Sequence, residues 1–281
     1  MARWDTIAIV GVGLIGGSIG LAVQDRGLAR RVVGVGRQLS SLRKAKRHGT
    51  VSITTTDLAG GVHDAELIIV CTPVADIVTR VGAVAKSCRD GALITDVGST
   101  KAEIVTSLEA MLDQRATFVG SHPMAGSDRG GAENARPDLF QGRVTVVTAT
   151  PRTPRAAEQT VAEFWEALGS TVVRMTPSAH DQAVAMISHA THVIASSLAA
   201  ATDPAELVLA ATGWSDTTRV AAANPELWRQ ILLSNRDAVL QSLDKFEKVL
   251  STFRAALQCS DEARIAQLLE MGKQTRDALG S

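Results

Sequence analysis

The chain has 281 residues, and its 29 Lys and Arg residues balance its 29 Asp and Glu residues, so that the formal net charge is zero. This length is sufficient for two domains. The balanced charge provides no overall field that would favour nucleic acid or a membrane surface, so neither is expected as a partner. The cysteines at positions 71, 88 and 259 are odd in number and widely spaced. They predict reduced thiols, and neither a disulfide framework nor a metal site.

The first predicted strand begins almost at the amino terminus. The opening sequence, MARWDTIAIVG, leaves no room for a signal peptide, which predicts a cytoplasmic protein. Nearly continuous apolar segments then alternate with helical stretches up to residue 176, and such strands are typical of a mainly parallel sheet covered by helices on both faces. The predicted strands are 6–13, 32–36, 66–73, 92–98, 117–123, 144–150 and 170–176.

A glycine-rich turn joins the first predicted strand to the following helix. Glycines spaced in this way permit a tight turn, close approach of the backbone to a pyrophosphate, and close packing of helix on strand. In this context the motif predicts a Rossmann-like dinucleotide-binding domain at residues 1–176, with a merely tight turn as the alternative. The residues expected to bind the cofactor are Gly11, Gly13, Leu14, Ile15 and Gly16.

The end of the second predicted strand bears on the choice of dinucleotide. An acidic residue there would bind the ribose 2′-hydroxyl of NAD, but the sequence reads Gly36-Arg37-Gln38, and residues 26–56 contain eight Lys or Arg residues and no acid. Arg37 is suited to the 2′-phosphate of NADP. The alternative, a solvated basic helix face, accounts for the Lys and Arg residues at 43–47. The sequence therefore predicts NADP or NAD as the cofactor.

After residue 176 the strand pattern stops, and residues 177–281 are predicted to be helical. Thr176-Pro177 is typical of an N-cap followed by proline at the first helical position. The uncharged run 183–202 contains Ser, Thr and His residues, which predicts a helix buried in protein rather than a membrane span. Together with the apolar stripes in 227–257, it gives more apolar surface than a helical domain of about 100 residues buries alone. We therefore expect a homodimer.

One histidine lies where an open α/β sheet binds its ligands. In GSHPMAGSDRGG, at 120–131, His122 is placed at the carboxyl end of a predicted strand. The glycine-rich loop of about 20 residues that follows is of a length that is usually functional. Ser99, in DVGSTK at 96–101, ends the preceding strand in a similar turn. It is expected at the same crevice, or as a helix N-cap.

Together these segments resemble the prephenate/arogenate dehydrogenase family of tyrosine biosynthesis, over nearly the whole chain. The resemblance implies a Rossmann-like domain followed by an all-α dimerisation domain, here 177–281. It also implies NAD(P)-dependent oxidative decarboxylation of prephenate to 4-hydroxyphenylpyruvate and CO2. The matching segments are GVGLIGGS at 11–18, CTP at 71–73, DVGSTK at 96–101, GSHPMAG at 120–126, HDQAVAMISHATH at 180–192 and SDTTRVAAANPELW at 215–228.

The resemblance implies roles for three polar residues. His122 matches the catalytic histidine that accepts the proton of the substrate's 4-hydroxyl, a role that a neutral imidazole can fill near pH 7. Ser99 matches the serine that orients this hydroxyl and His122. Arg219 matches the arginine that binds a substrate carboxylate, which suits its planar guanidinium.

Further positions near the ligands follow from the same resemblance. His192 and Trp228 match residues close to the substrate, although each is equally compatible with a core position. The segment Cys71-Thr72-Pro73 is expected to line the cofactor groove. Lys101 is expected to be solvated at the start of a helix. A metal site built from His189 and His192 would lack a third ligand.

The sequence leaves the substrate and the class of protein open. Prephenate is the expected substrate and arogenate the alternative, in which an ammonium replaces the keto group. His192 agrees with prephenate, whereas Asp128 could pair with the ammonium or be a solvated loop carboxylate. Two further interpretations are a β-hydroxyacid dehydrogenase and a non-catalytic dinucleotide-sensing module, which would need neither His122 nor Arg219.

Overall fold

The computed structural model describes residues 2–112, 115–126 and 130–280. It contains eight strands: β1 (Trp4–Val10), β2 (Ala29–Val35), β3 (Ile53–Thr55), β4 (Leu67–Val70), β5 (Ala92–Asp96), β6 (Ala116–Pro123), β7 (Val144–Thr148) and β8 (Thr171–Met175). The helices of the first half are α1 (Leu14–Asp25), α2 (Leu39–Arg47), α3 (Leu58–Val62), α4 (Ile77–Ala85), α5 (Ala102–Met111) and α6 (Arg155–Ala167). Those of the second half are α7 (Pro177–Val184), α8 (Thr191–Ala201), α9 (Thr212–Thr218), α10 (Pro225–Ser234), α11 (Arg236–Gln258) and α12 (Glu262–Asp277).

All the strands belong to one mixed sheet, in the order β3-β2-β1-β4-β5-β6-β7-β8. The pairs from β3 to β6 are parallel, β7 is antiparallel to β6, and β8 is parallel to β7. Every predicted strand is present, and the predicted fold class is confirmed. The sequence analysis missed β3, because this edge strand is only three residues long and is partly exposed.

Successive side chains of the central strands enter two separate hydrophobic cores. Ile7 and Ile9 of β1 pack in the cluster that contains Trp165 of α6. Ala8 and Val10 pack in the cluster on the opposite face of the sheet. Side chains of a strand alternate between its faces, so a strand covered on both sides needs an apolar residue at every position. This explains the continuous apolar runs of the sequence.

The helical half begins as the sequence predicts. The Thr176 hydroxyl accepts a hydrogen bond from the Ala179 N–H at 3.2 Å, and Pro177 occupies the first turn of α7. Six residues in π-helical conformation, Ala185–Ala190, join α7 to α8 within one continuous helix. Such π segments occur frequently at functional sites. Ile231 of α10 packs in one of the cores of the sheet domain, so the two halves are in direct contact.

The helical half leaves apolar surface exposed. By length and hydropathy the continuous helix 177–201 could span a membrane, a test that core helices of soluble proteins also pass, and 33% of its most apolar 18-residue window is buried. Ile187 on this helix is 67% exposed, and Val208 and Leu209 are 85% and 84% exposed. The prediction of a helix buried in protein is therefore met only in part by the single chain.

Candidate active site

The glycine-rich turn leaves space for a ligand at the start of α1. Gly11 has a φ of +99°, and a Cβ there would lie 2.6 Å from the Cys71 carbonyl oxygen. At Gly16 a Cβ would lie 2.1 Å from the Gly11 carbonyl oxygen, so both positions require glycine. A Cβ at Gly13, in contrast, would meet no described atom within 4 Å. The backbone at Gly13 is therefore accessible to a ligand.

The amino terminus of α1 is suited to an anion. Within the described residues no side chain caps this helix, and its first turn contains no acidic residue. The free N–H groups and the helix dipole there favour a phosphate. The Thr72 hydroxyl, on the loop that packs against Gly11, is buried and has no hydrogen-bond partner in the described part of the chain. These features fit the pyrophosphate of a dinucleotide.

The neighbours of this turn differ in what they offer a cofactor. The side chains of Leu14 and Ile15 pack against the core. Their backbone N–H groups lie in the first turn of α1, where helix N–H groups have no partner within the helix and can bind a ligand. Burial, and secondarily the Asp96 carboxylate, raise the pKa of the Cys71 thiol, so this thiol stays protonated and unreactive. Arg37 is exposed two residues after β2, and the end of β2 lies beside the turn, since the Gly11 N–H donates to the Val35 carbonyl at 2.8 Å.

The carboxyl ends of β5 and β6 are joined by buried hydrogen bonds. The Asp96 carboxylate accepts from the Ser121 N–H at 3.0 Å, and the Ser121 hydroxyl donates to the Asp96 carbonyl at 2.6 Å. The Trp165 indole donates to the same hydroxyl at 3.0 Å. His122, the next residue of β6, is half-buried at this edge of the sheet, as predicted. The network fixes the backbone that holds the imidazole.

The prediction that Lys101 is solvated is wrong. Instead of being solvated, its side chain is fully buried and forms an ion pair with Asp96. Burial lowers the pKa of the Lys101 ammonium, and the Asp96 carboxylate opposes this shift. Lys101 is buried because the loop after β5 folds back towards Asp96. In this loop the Gly98 N–H donates to the Asp96 carboxylate at 2.8 Å.

His122 is the first member of a row of three polar side chains. Its Nδ1 lies 2.8 Å from Nε2 of His180, and Nδ1 of His180 lies 2.7 Å from Oδ1 of Asp181. The two carboxylate oxygens of Asp181 also accept from the backbone N–H groups of Lys101 and Ala102, each at 2.8 Å. Residues His180 and Asp181 of α7 thus connect the histidine of β6 to the start of α5.

The surroundings of His122 keep it neutral. Burial lowers its pKa well below 6.5, and the nearby Lys101, His180 and His189 act in the same direction. A neutral imidazole can accept a proton near pH 7. This side chain is therefore suited to act as a general base.

Three aromatic rings form a cluster: His189 of the π segment, His192 of α8 and Trp228 of α10. The His192 ring stacks on Trp228, with centroids 3.6 Å apart and planes at 8°, and His189 meets Trp228 edge-on at 6.1 Å. Burial lowers the pKa of His189 to about 4. The His192 Nδ1 is buried and has no partner among the residues that the structure describes, so it is available to a ligand. His189 Nδ1 lies 3.1 Å from the Asn235 amide.

The remaining predicted residues are placed as follows. Ser99 is half-buried in the loop after β5. It does not cap α5, because the N-cap of that helix is Lys101, two residues after Ser99. Arg219 is exposed on the short turn Arg219–Ala222, which packs against α8. Asp128 lies outside the described residues.

Sequence reasoning assigned no role to His180 and Asp181. Both lie in the segment HDQAVAMISHATH that was quoted for the resemblance, and both are buried in α7. The available signal was an adjacent His-Asp pair near the start of the helix that follows the last strand. The role of this pair was missed because His180 and His122, which are in contact, lie 58 positions apart in the chain.

Comparison with known proteins identifies two matching family models. Residues 19–174 match "Prephenate dehydrogenase, nucleotide-binding domain", and residues 176–271 match "Prephenate dehydrogenase, dimerization domain". The chain is 32% identical to a prephenate dehydrogenase of Bacillus subtilis, over 98% of this chain and 76% of that protein. It is 30% identical to a cyclohexadienyl dehydrogenase of Zymomonas mobilis, over 99% of this chain and 97% of that protein.

The fold is also close to that of a solved structure. The crystal structure of a prephenate dehydrogenase from Aquifex aeolicus, in complex with hydroxyphenyl propionate and NAD+, superimposes with a TM-score of 0.90. The two sequences are 28% identical, and the similarity covers 98% of each chain.

The lowered pKa of His122 predicts its titration. We expect the imidazole to be neutral at pH 6.5 and to become protonated only at a lower pH, because burial disfavours the cation. Ring 13C and 15N shifts of labelled histidine, recorded by NMR as a function of pH, measure this directly. The His122→Asn variant identifies the signal by its disappearance. A midpoint at or above pH 6.5 would contradict the prediction.

Proposed function

Because this chain belongs to the prephenate dehydrogenase family, we propose that it catalyses the NAD(P)-dependent oxidative decarboxylation of prephenate to 4-hydroxyphenylpyruvate and CO2. The observation that most supports this activity is the half-buried, neutral His122 at the carboxyl edge of the sheet that also carries the glycine-rich turn. A protein that only senses a dinucleotide would not need such a base.

The reaction requires a base for the 4-hydroxyl proton, an acceptor for the hydride that leaves ring carbon C4, and a cation for a carboxylate. A bound nicotinamide dinucleotide supplies the hydride acceptor. His122 accepts the hydroxyl proton, a contribution worth roughly 10²- to 10⁴-fold in rate. Loss of CO2 then makes the ring aromatic, and His122 can return the proton to the phenolate. Burial, assisted by the nearby Lys101 ammonium, keeps the imidazole neutral between turnovers.

Four residues are proposed to bind or orient the substrate. Arg219 is exposed, and its guanidinium suits a bidentate bond to a carboxylate. Ser99 follows β5, next to the strand of His122, and is proposed to orient the 4-hydroxyl. His192 and Trp228 are proposed to contact the substrate, since their stacked pair presents an unpartnered Nδ1. Arogenate is the second candidate substrate, supported by the similarity to a cyclohexadienyl dehydrogenase.

The proposed activity is tested with purified protein and prephenate, arogenate and a 3-hydroxy acid. We expect turnover of prephenate with release of CO2, and His122→Asn should lower kcat by about 10²-fold or more because the base is lost. The control is the dissociation constant of the cofactor, which should not change in this variant. Oxidation of the 3-hydroxy acid alone, or near-normal kcat in His122→Asn, would refute the proposal.

We further propose that NADP is used at least as well as NAD. The support is the exposed guanidinium of Arg37 beside the glycine-rich turn and the absence of acids from residues 26–56. A 2′-phosphate would gain a charge-assisted hydrogen bond there, whereas the ribose diol of NAD would lack its usual carboxylate partner.

Replacing Arg37 tests the cofactor proposal. Arg37→Ala should lower kcat/KM for NADP by about 10- to 100-fold, the effect of losing one hydrogen bond to a charged group, and leave NAD almost unaffected. Arg43→Ala, an exposed arginine on α2, is the matched control and should change neither value. A strong wild-type preference for NAD, with NADP use unchanged in Arg37→Ala, would show the proposal to be wrong.

The chain is also proposed to form a homodimer through residues 177–281. The family model for this half describes a dimerisation domain, and its exposed apolar side chains have no cover in the single chain. A second copy would bury them. A cytoplasmic location without nucleic-acid or membrane partners stays a prediction.

Two substitutions probe the dimer. Val208→Asp combined with Leu209→Asp should produce monomers at micromolar concentration, because two buried carboxylates would oppose association. Light scattering measures the mass. Met111→Asp, at a 54% exposed position at the end of α5, is the control that should stay dimeric. A monomeric wild-type protein would refute the dimer, and a dimeric double variant would exclude these residues from its interface.

A further inference from the structure

We propose that His180 and Asp181 are positioning residues that hold His122 in the tautomer required of a base. In this tautomer the hydrogen is on Nδ1 of His122, and Nε2 keeps a free lone pair. The inference concerns the row of contacts between the three side chains. Its catalytic consequence rests on the proposed function, whereas the tautomer itself does not.

The hydrogen positions follow from the Asp181 carboxylate, which can only accept hydrogen bonds. Its Oδ1 lies 2.7 Å from Nδ1 of His180, so Nδ1 must be the nitrogen that carries the hydrogen. In a neutral His180, Nε2 is then an acceptor. The Nδ1 of His122, 2.8 Å away, must therefore donate. With His180 neutral, this order of donors and acceptors places the lone pair of His122 on Nε2.

The row is held rigidly from both halves of the molecule. The backbone N–H groups of Lys101 and Ala102, at the start of α5, fix both carboxylate oxygens of Asp181. The Asn235 amide, at the start of α11, donates to the Asp181 carbonyl at 2.7 Å. The His180 side chain is completely buried, so water cannot replace its contacts.

The same arrangement stabilises His122 after it accepts a proton. The Nδ1–H bond of the imidazolium becomes charge-assisted and therefore stronger. His180, which receives this bond, is itself bonded to the negative Asp181. A base that is oriented by a second group, which is in turn oriented by a carboxylate, is a recurrent arrangement in enzymes that activate a hydroxyl.

Three substitutions of His180 separate positioning from packing. Glutamine can place its Oε1 near the position of Nε2 and keep an acceptor for His122. Asparagine can place its Nδ2 near Nδ1 and keep only the donor to Asp181, and leucine keeps neither. We expect kcat to fall by about 10- to 100-fold in His180→Leu and His180→Asn. His180→Gln should recover a large part of this loss. Equal losses in the glutamine and asparagine variants would overturn the proposal.

A second measurement uses the His122→Asn background. If His180 acts through His122, His180→Leu should cause little further loss of residual kcat in that background, since contacting residues of one network are non-additive. A full additional loss would indicate a purely structural role and overturn the proposal. Should His180→Leu fail to fold, His180→Asn takes its place in this comparison.

A third measurement is independent of any substrate. The 15N shifts of the His122 ring at pH 7.5 distinguish the two neutral tautomers, and we expect the hydrogen on Nδ1 in the wild type. In His180→Leu a mixture of both tautomers is expected. A wild-type His122 protonated on Nε2 would refute the inference even in an active enzyme. Conversely, an Nδ1 tautomer without turnover of prephenate would refute only the proposed function.

Discussion

The Asp181 carboxylate is the constraint on which the arrangement of the site depends. It lies in α7, the first helix of the helical half, yet it binds the backbone N–H groups that open α5 in the sheet half. It also determines which nitrogen of His180 carries a hydrogen. A buried carboxylate must be fully hydrogen-bonded to be tolerated. Its bonds therefore fix the position of α7 relative to the sheet.

A second buried charge pair completes this environment. Lys101 and Asp96 bury two opposite charges next to the carboxyl ends of β5 and β6. Burying such a pair contributes little to stability on balance, because desolvation offsets the attraction. The ion pair instead affects the strand ends and the histidine next to it. Asp96 joins the two strand ends, and the Lys101 ammonium lowers the pKa of His122. Asp96 thus shapes the backbone that holds the base, and Lys101 adds to the effect of burial, which is the main cause of the lowered pKa of His122.

The division into two halves has a physical basis that is visible in burial. The sheet half is covered on both faces and closes around its own cores. The helical half is joined to it through Asp181, Asn235 and the apolar Ile231, while much of the surface of helix 177–201 stays exposed. A helix with apolar side chains around most of its circumference must be packed against protein on several faces. In the single chain, only part of the apolar surface of this helix is buried.

The sequence by itself determined the sheet, the glycine-rich turn and the position of His122. These depend on local patterns, namely continuous apolar strands, glycines at fixed spacing and a histidine at a strand end. Lys101 and the row His122–His180–Asp181 were decided only by the tertiary structure. Whether a lysine near a helix start is solvated depends on where its loop folds. Whether two histidines 58 positions apart share a hydrogen bond depends on how two domains pack, and no local pattern contains that information.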